Sequence, residues 1–234
     1  MQTDMIRGRS IIQGLLILSL LTLCGAATVI NGQDTSGGRV FQSERMRALV
    51  TNDGLASVTD PLDRYGADIV NSRAPWGRVK LVYRTGNGAW TERPDNRPGS
   101  LKDDGGRAVI ESDEAGDPVT LTQRFSLAGN ALDWEIEIGT REGKEVEIGD
   151  LGLYLPWSIA RSENPDTIFE RSFTKHHFIS GNGSFLYFTR PSGEPPYLMI
   201  LAGDGTGLED FDGGRGGYRG YMHSAVGAAG VESG

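Results

Sequence analysis

The stretch Ala131-Leu132-Asp133-Trp134-Glu135-Ile136-Glu137-Ile138-Gly139-Thr140, "ALDWEIEIGT", decides the fold. Leu132, Trp134, Ile136 and Ile138 alternate with Asp133, Glu135 and Glu137. A period of two puts successive side chains on opposite faces of a strand, so one face is buried and the other is a solvated row of carboxylates. The preceding run "VTLTQRFSL" (119–127) alternates in the same way, and Gly129-Asn130 joins the two as a hairpin.

The pattern continues outward. "RVKLVYRT" (78–85), "RAVIES" (107–112) and "EVEIGDLGLYLPW" (145–157) read as further strands, and "PYLMILA" (196–202) is apolar throughout, as a strand covered on both faces would be. The 34 glycines follow no fixed repeat and punctuate these apolar runs as turns would. Helical periodicity is scarce, and "SENPDTIFERSF" (162–173) has room for a single turn of helix. The spacing of strands and turns predicts an all-β fold, an antiparallel β-sandwich, over residues 46–225.

The N-terminus reads as an export signal. Arg7 and Arg9 precede the apolar run "LLILSLLTL" (15–23), and Gly25, Ala26 and Ala27 offer a small-residue cleavage site. The run falls short of the roughly 20 residues that span a bilayer. Residues 1–27 are therefore expected to be removed, leaving a secreted or periplasmic protein with no membrane span. Cys24 follows Leu23, which is not the small residue that lipoprotein processing requires, so a lipid anchor through Cys24 is the lesser alternative. This cysteine is the chain's only one, so the processed protein has no disulfide. Residues 28–45 read as a flexible lead-in, and 226–234 as an unstructured end of a truncated chain. Within 203–234 no closing strand or helix is evident.

Charge narrows the partners. With 23 Lys and Arg against 31 Asp and Glu, and no basic block, the chain is a poor match for nucleic acid. The stretch "KHHFISGNGSFLYFTR" (175–190) holds two of three histidines, a glycine-rich turn and a run of aromatics. Neighbouring residues of a strand point to opposite faces, so His176 and His177 are poor joint ligands, and no metal or other cofactor is expected. "GNGSF" lacks the elbow of a nucleophilic serine and the lysine of a phosphate cradle. Aspartates in "NDG" and "TDPLDRYG" read as turn formers, and no catalytic residue is assigned. The stretch reads instead as a hairpin whose second strand, Phe185 to Phe188, is rich in aromatics. Aromatic planes stack on sugar C–H faces while amides and carboxylates take the hydroxyls. The candidate ligand-binding residues are thus His176, His177, Asn182, Trp157, Trp76 and Glu209.

The phrases "VTNDGLASVTDPLDRYGADIV" (50–70), "APWGRVKLVYR" (74–84), "LGLYLPW" (151–157) and "FTKHHFISGNGSFLYFTRPSGEPPYLMIL" (173–201) together resemble a domain-of-unknown-function family of secreted bacterial proteins related to six-hairpin glycosidases. That resemblance covers about residues 46–225. It implies an N-terminal β-sandwich of the supersandwich kind followed by an (α/α)6 catalytic barrel, and this chain is expected to correspond to the first part, with the 175–190 hairpin as a wall of the glycan cleft. Its function would be that of the non-catalytic sandwich of a glycoside hydrolase-like protein acting on polysaccharide or oligosaccharide. A stand-alone carbohydrate-binding module is the alternative, and a sugar epimerase-like enzyme the third.

Overall fold

A computed structural model describes residues 14–19, 30–33, 37–70, 74–93, 99–113, 115–141, 145–180, 183–202, 208–211 and 221–224. The all-β expectation is met. The strands are β1 (Gly14–Ser19), β2 (Ile30–Gln33), β3 (Arg39–Gln42), β4 (Arg47–Thr51), β5 (Gly54–Thr59), β6 (Arg78–Thr85), β7 (Thr91–Arg93), β8 (Ser100–Asp104) and β9 (Arg107–Ser112). They continue with β10 (Val119–Ala128), β11 (Ala131–Thr140), β12 (Val146–Tyr154), β13 (Thr174–Ser180), β14 (Gly183–Thr189), β15 (Leu198–Ala202), β16 (Leu208–Phe211) and β17 (Tyr221–Ser224). The lone helix among the described residues, α1 (Pro165–Arg171), sits where the sequence allowed one turn; Asn164 caps it by accepting the amide of Asp166.

One layer is an eight-stranded antiparallel sheet in the order β13-β14-β15-β1-β11-β10-β9-β8. Facing it are a five-stranded sheet, β16-β17-β12-β6-β7, and a four-stranded sheet, β2-β3-β4-β5. β16 lies against β14 and β3 against β10, so the second layer is divided between the two smaller sheets. The hairpin that decided the fold has the expected register, with Leu127 opposite Leu132 and Phe125 opposite Trp134. Apart from the half-buried Leu127, the inward residues from Val119 to Phe125 and from Leu132 to Ile138 are buried, and Phe125 and Trp134 stack at 5.2 Å. The outward row of β11 is partly neutralised from β10, where Arg124 reaches Glu137 at 2.7 Å and Glu135 at 3.6 Å.

Three segments differ from the sequence expectations. Residues 28–45, read as a lead-in, supply β2 and β3, and Phe41 is fully buried; their apolar residues come only as the adjacent pairs Val29-Ile30 and Val40-Phe41, which show no alternation. Within 203–234, β16 and β17 form a hairpin whose β17 pairs with β12; strands of four residues are too short for a visible period. Gly14–Ser19, inside the export-signal segment, is the strand between β15 and β11. Residues 226–234 lie outside the described residues.

Two buried polar networks tie the layers together. Gln123 in the core donates to the Gly77 carbonyl at 2.9 Å and accepts from Trp134 Nε1 at 3.1 Å. Arg190, with 2% of its side chain exposed, meets the equally buried Asp63 at 2.6 Å. Its remaining donors serve the carbonyls of Glu170 and Pro195. Asp63 in turn accepts the amides of Tyr65 and Ala67. One guanidinium thereby joins the 60–70 turn, α1 and the loop between β14 and β15.

Candidate functional site: the outer face of the β13–β14 hairpin

β13 and β14 pair as foreseen, with His176 opposite Tyr187, His177 opposite Leu186 and Phe178 opposite Phe185. Directly opposed residues share a face. Leu186 and Phe188 are buried, so the other set, His176, Phe178, Phe185 and Tyr187, faces outward from the sheet. The two histidines therefore diverge, as strand geometry demanded.

The outward rings form two stacked pairs. Phe178 and Phe185 lie 4.9 Å apart at 12°, and Tyr187 stacks on Tyr197 at 5.7 Å and 23°. Phe178 meets Tyr187 edge-on at 6.5 Å, and His176 lies 6.4 Å from both. Phe178 is 46% exposed, a large apolar surface left in water. His176 is held by Thr189, whose hydroxyl lies 3.1 Å from Nε2. Tyr197 donates its hydroxyl to the Gly193 carbonyl at 2.7 Å. Burial first, and the neighbouring Tyr197 phenol second, push the Tyr187 hydroxyl above the usual phenol range. Like any phenol it is protonated at neutral pH and can donate. The arrangement offers rigid flat rings beside a phenol donor and an imidazole, which suits a sugar ring with its apolar face and hydroxyl rim.

The other candidates fall elsewhere. Trp76 is fully buried, donates Nε1 to the Pro156 carbonyl at 2.7 Å and packs on Phe188 at 5.5 Å. It is a core residue, bridged to Leu55, and so takes no part in an exposed surface. Trp157 is 6% exposed, with Phe188 on its edge and Lys175 Nζ 5.4 Å from its ring centroid. Glu209 lies on β16 of the opposite layer, in register with His223 on β17. Asn182 lies outside the described residues. The hairpin thus brings His176 and the outward aromatics together without Trp76 or Glu209.

Phe178 and Tyr197 had not been singled out. The parity of "KHHFIS" carries the first: His176 and Phe178 are two apart and must share a face. Tyr197 follows a proline pair at the end of a loop, and no local pattern points to it. Trp90, 41% exposed, is a separate aromatic, resting on the Gly149 backbone with Arg84 stacked 4.5 Å from its centroid. Among the described residues, no cluster of three His, Cys, Asp or Glu is placed to hold a metal ion, and no helix is long and apolar enough to cross a membrane.

Fold and site together define an antiparallel β-sandwich with an aromatic outer face at one sheet edge. The chain resembles the solved structure described as Polysaccharide Lyase BACCELL_00875, with a TM-score of 0.60 at 13% identity. The likeness covers 87% of this chain and 30% of that one, so the chain spans under a third of that protein's length. At this identity the likeness is one of fold. No family model matches the sequence, and neither does any curated protein.

Proposed function

We propose that this chain is the β-sandwich portion of a secreted or periplasmic polysaccharide-active protein, and that it holds glycan on the outer face of β13–β14 without performing the chemistry itself. The observation that carries the reading is the pair of stacked ring sets, Phe178–Phe185 on the hairpin and Tyr187–Tyr197 between it and the start of β15, with Phe178 exposed and the other three rings half-buried. Soluble proteins keep few large rings in water without a use for them. The fold's likeness to a structure named as a polysaccharide lyase supports the same class of ligand. On this reading the reacting groups belong to another part of a longer polypeptide. The resemblance to six-hairpin glycosidase relatives makes that part an (α/α)6 barrel.

A stand-alone carbohydrate-binding module would use the same face and need no second domain. Both versions predict that electrophoresis through gels containing neutral or uronate-bearing polysaccharides retards the protein on at least one glycan. Phe178→Ala should weaken that retention several-fold, since one stacked ring contributes about 1 kcal/mol. Leu62→Ala, at an exposed position on a different turn, should migrate like the wild type. Absence of retardation on every glycan, or an unaltered Phe178→Ala, would remove the proposal's basis.

A further inference from the structure

β15 and β11 are not neighbours; β1 lies between them and pairs antiparallel with both. Gly14 to Ser19 run opposite Ile136 to Ala131 on one side, and Leu16 to Ser19 run opposite Ala202 to Met199 on the other. With strands about 4.8 Å apart, the edges of β11 and β15 stand about two spacings from each other. That is too far for direct pairing and the width of one strand. The edges also lie over the core: Leu132 and Trp134 of β11 and Leu198 and Ile200 of β15 are fully buried. An empty gap would leave two facing rows of backbone amides and carbonyls without partners in the middle of a sheet, a costly arrangement.

The occupant is drawn from the run that reads as the apolar core of an export signal. The same six residues cannot both leave with a cleaved signal and stay in the sheet. We propose that the gap between β11 and β15 is a strand-acceptor site. The chain's own Gly14–Ser19 segment fills it while attached, and cleavage beyond that segment turns it into a slot for an extended apolar strand antiparallel to both edges. Recognition there is by main-chain hydrogen bonds, as in other strand-addition sites, with apolar side chains selecting the register. β15, apolar at every position, is the wall that sets this preference.

The test uses the full chain with a specific protease site placed within residues 20–29. After cutting, the N-terminal piece should stay bound, and a labelled synthetic peptide carrying residues 14–19 should exchange into its place. Ile17→Pro in that peptide, which removes a ladder donor, should reduce exchange at least tenfold. Hydrogen exchange should show amides of β11 and β15 opening when the piece is stripped away and closing again on adding the peptide. Unfolding of the stripped protein that the peptide reverses supports the proposal equally. Failure of the peptide to bind or rescue, or β11 and β15 amides that stay protected with the piece gone, would overturn it.

Discussion

At the scale of single residues, the most consequential side chain is Arg190. Its guanidinium is spent on Asp63 and two carbonyls, and its plane also lies 5.0 Å from the Tyr65 centroid. Arg190→Met would strand the Asp63 carboxylate in the interior. Loss of one partner of a buried pair costs about 3–5 kcal/mol, to be read from the urea midpoint. Arg190→Lys keeps the charge and loses the fork, so its midpoint should fall between those of the wild type and the methionine variant. Identical midpoints for all three would show that the clamp contributes nothing. Asp68 titrates for a different reason: burial raises its carboxyl above the ordinary range, although Ser57, the amides of Val58 and Val70, and the Arg47 charge pull it back in part. The folded protein therefore holds this proton more tightly than the unfolded chain. Asp68's contribution to stability is greatest below the unfolded carboxylate pKa, about 3.9, and is lost as pH rises through the higher folded value. Asp68→Asn keeps an acceptor for the two amides and removes the titration. Relative to the wild type, the variant should gain stability as pH rises from about 3 to 7. A difference that stays flat in urea titrations across that range would contradict this assignment.

At the scale of elements, the hairpin register is enforced at points of close approach. Gly54 opens β5 at φ +116°, where an added Cβ would stand 2.1 Å from the Trp76 carbonyl. That carbonyl accepts from Leu55, and Leu55 accepts from the Trp76 amide, so the contact is the bridge that carries Trp76 into the core. Gly54→Ala must break it, at a cost above the usual 1 kcal/mol of an alanine in a glycine conformation. The thermal midpoint should drop by several degrees, with quenched Trp fluorescence changing as Trp76 loosens; a variant with wild-type melting would refute the contact. Element type was legible where alternation ran long. β10 and β11 announce themselves over ten residues each, and the β13–β14 hairpin was readable from its glycines. Strands of three to five residues, such as β2, β7 and β16, contain too few alternations to stand out from a turn-rich background. The face of β13–β14 was legible by parity alone. Which face met the core was not, because both carry large apolar rings and only the opposing layer decides.

At the scale of the whole molecule, the sequence foretold one all-β body, and its layers do share a single core running from Phe41 to Ile200. It did not foretell the division of the second layer into two sheets. Nor could it place Trp76, whose burial depends on the meeting of the Leu55 bridge, the Pro156 carbonyl and Phe188, three contacts distant along the chain. Trp76 and Glu209 looked like plausible site members because residue type is a local property and convergence is not. What survived as a site is what one hairpin holds by itself, together with Tyr197 brought in by the next strand.

The two ends of the eight-stranded sheet have a further bearing on how the protein behaves in company. An open sheet invites edge-to-edge association with its neighbours in solution. Here one terminal strand, β13, carries Lys175 next to its first residue, and the other, β8, ends with Lys102-Asp103-Asp104. A lysine on each margin, joined on β8 by two aspartates, makes each edge a poor template for another copy. Lys175 at one margin and Lys102, Asp103 and Asp104 at the other are the side chains that put charge on the two open edges.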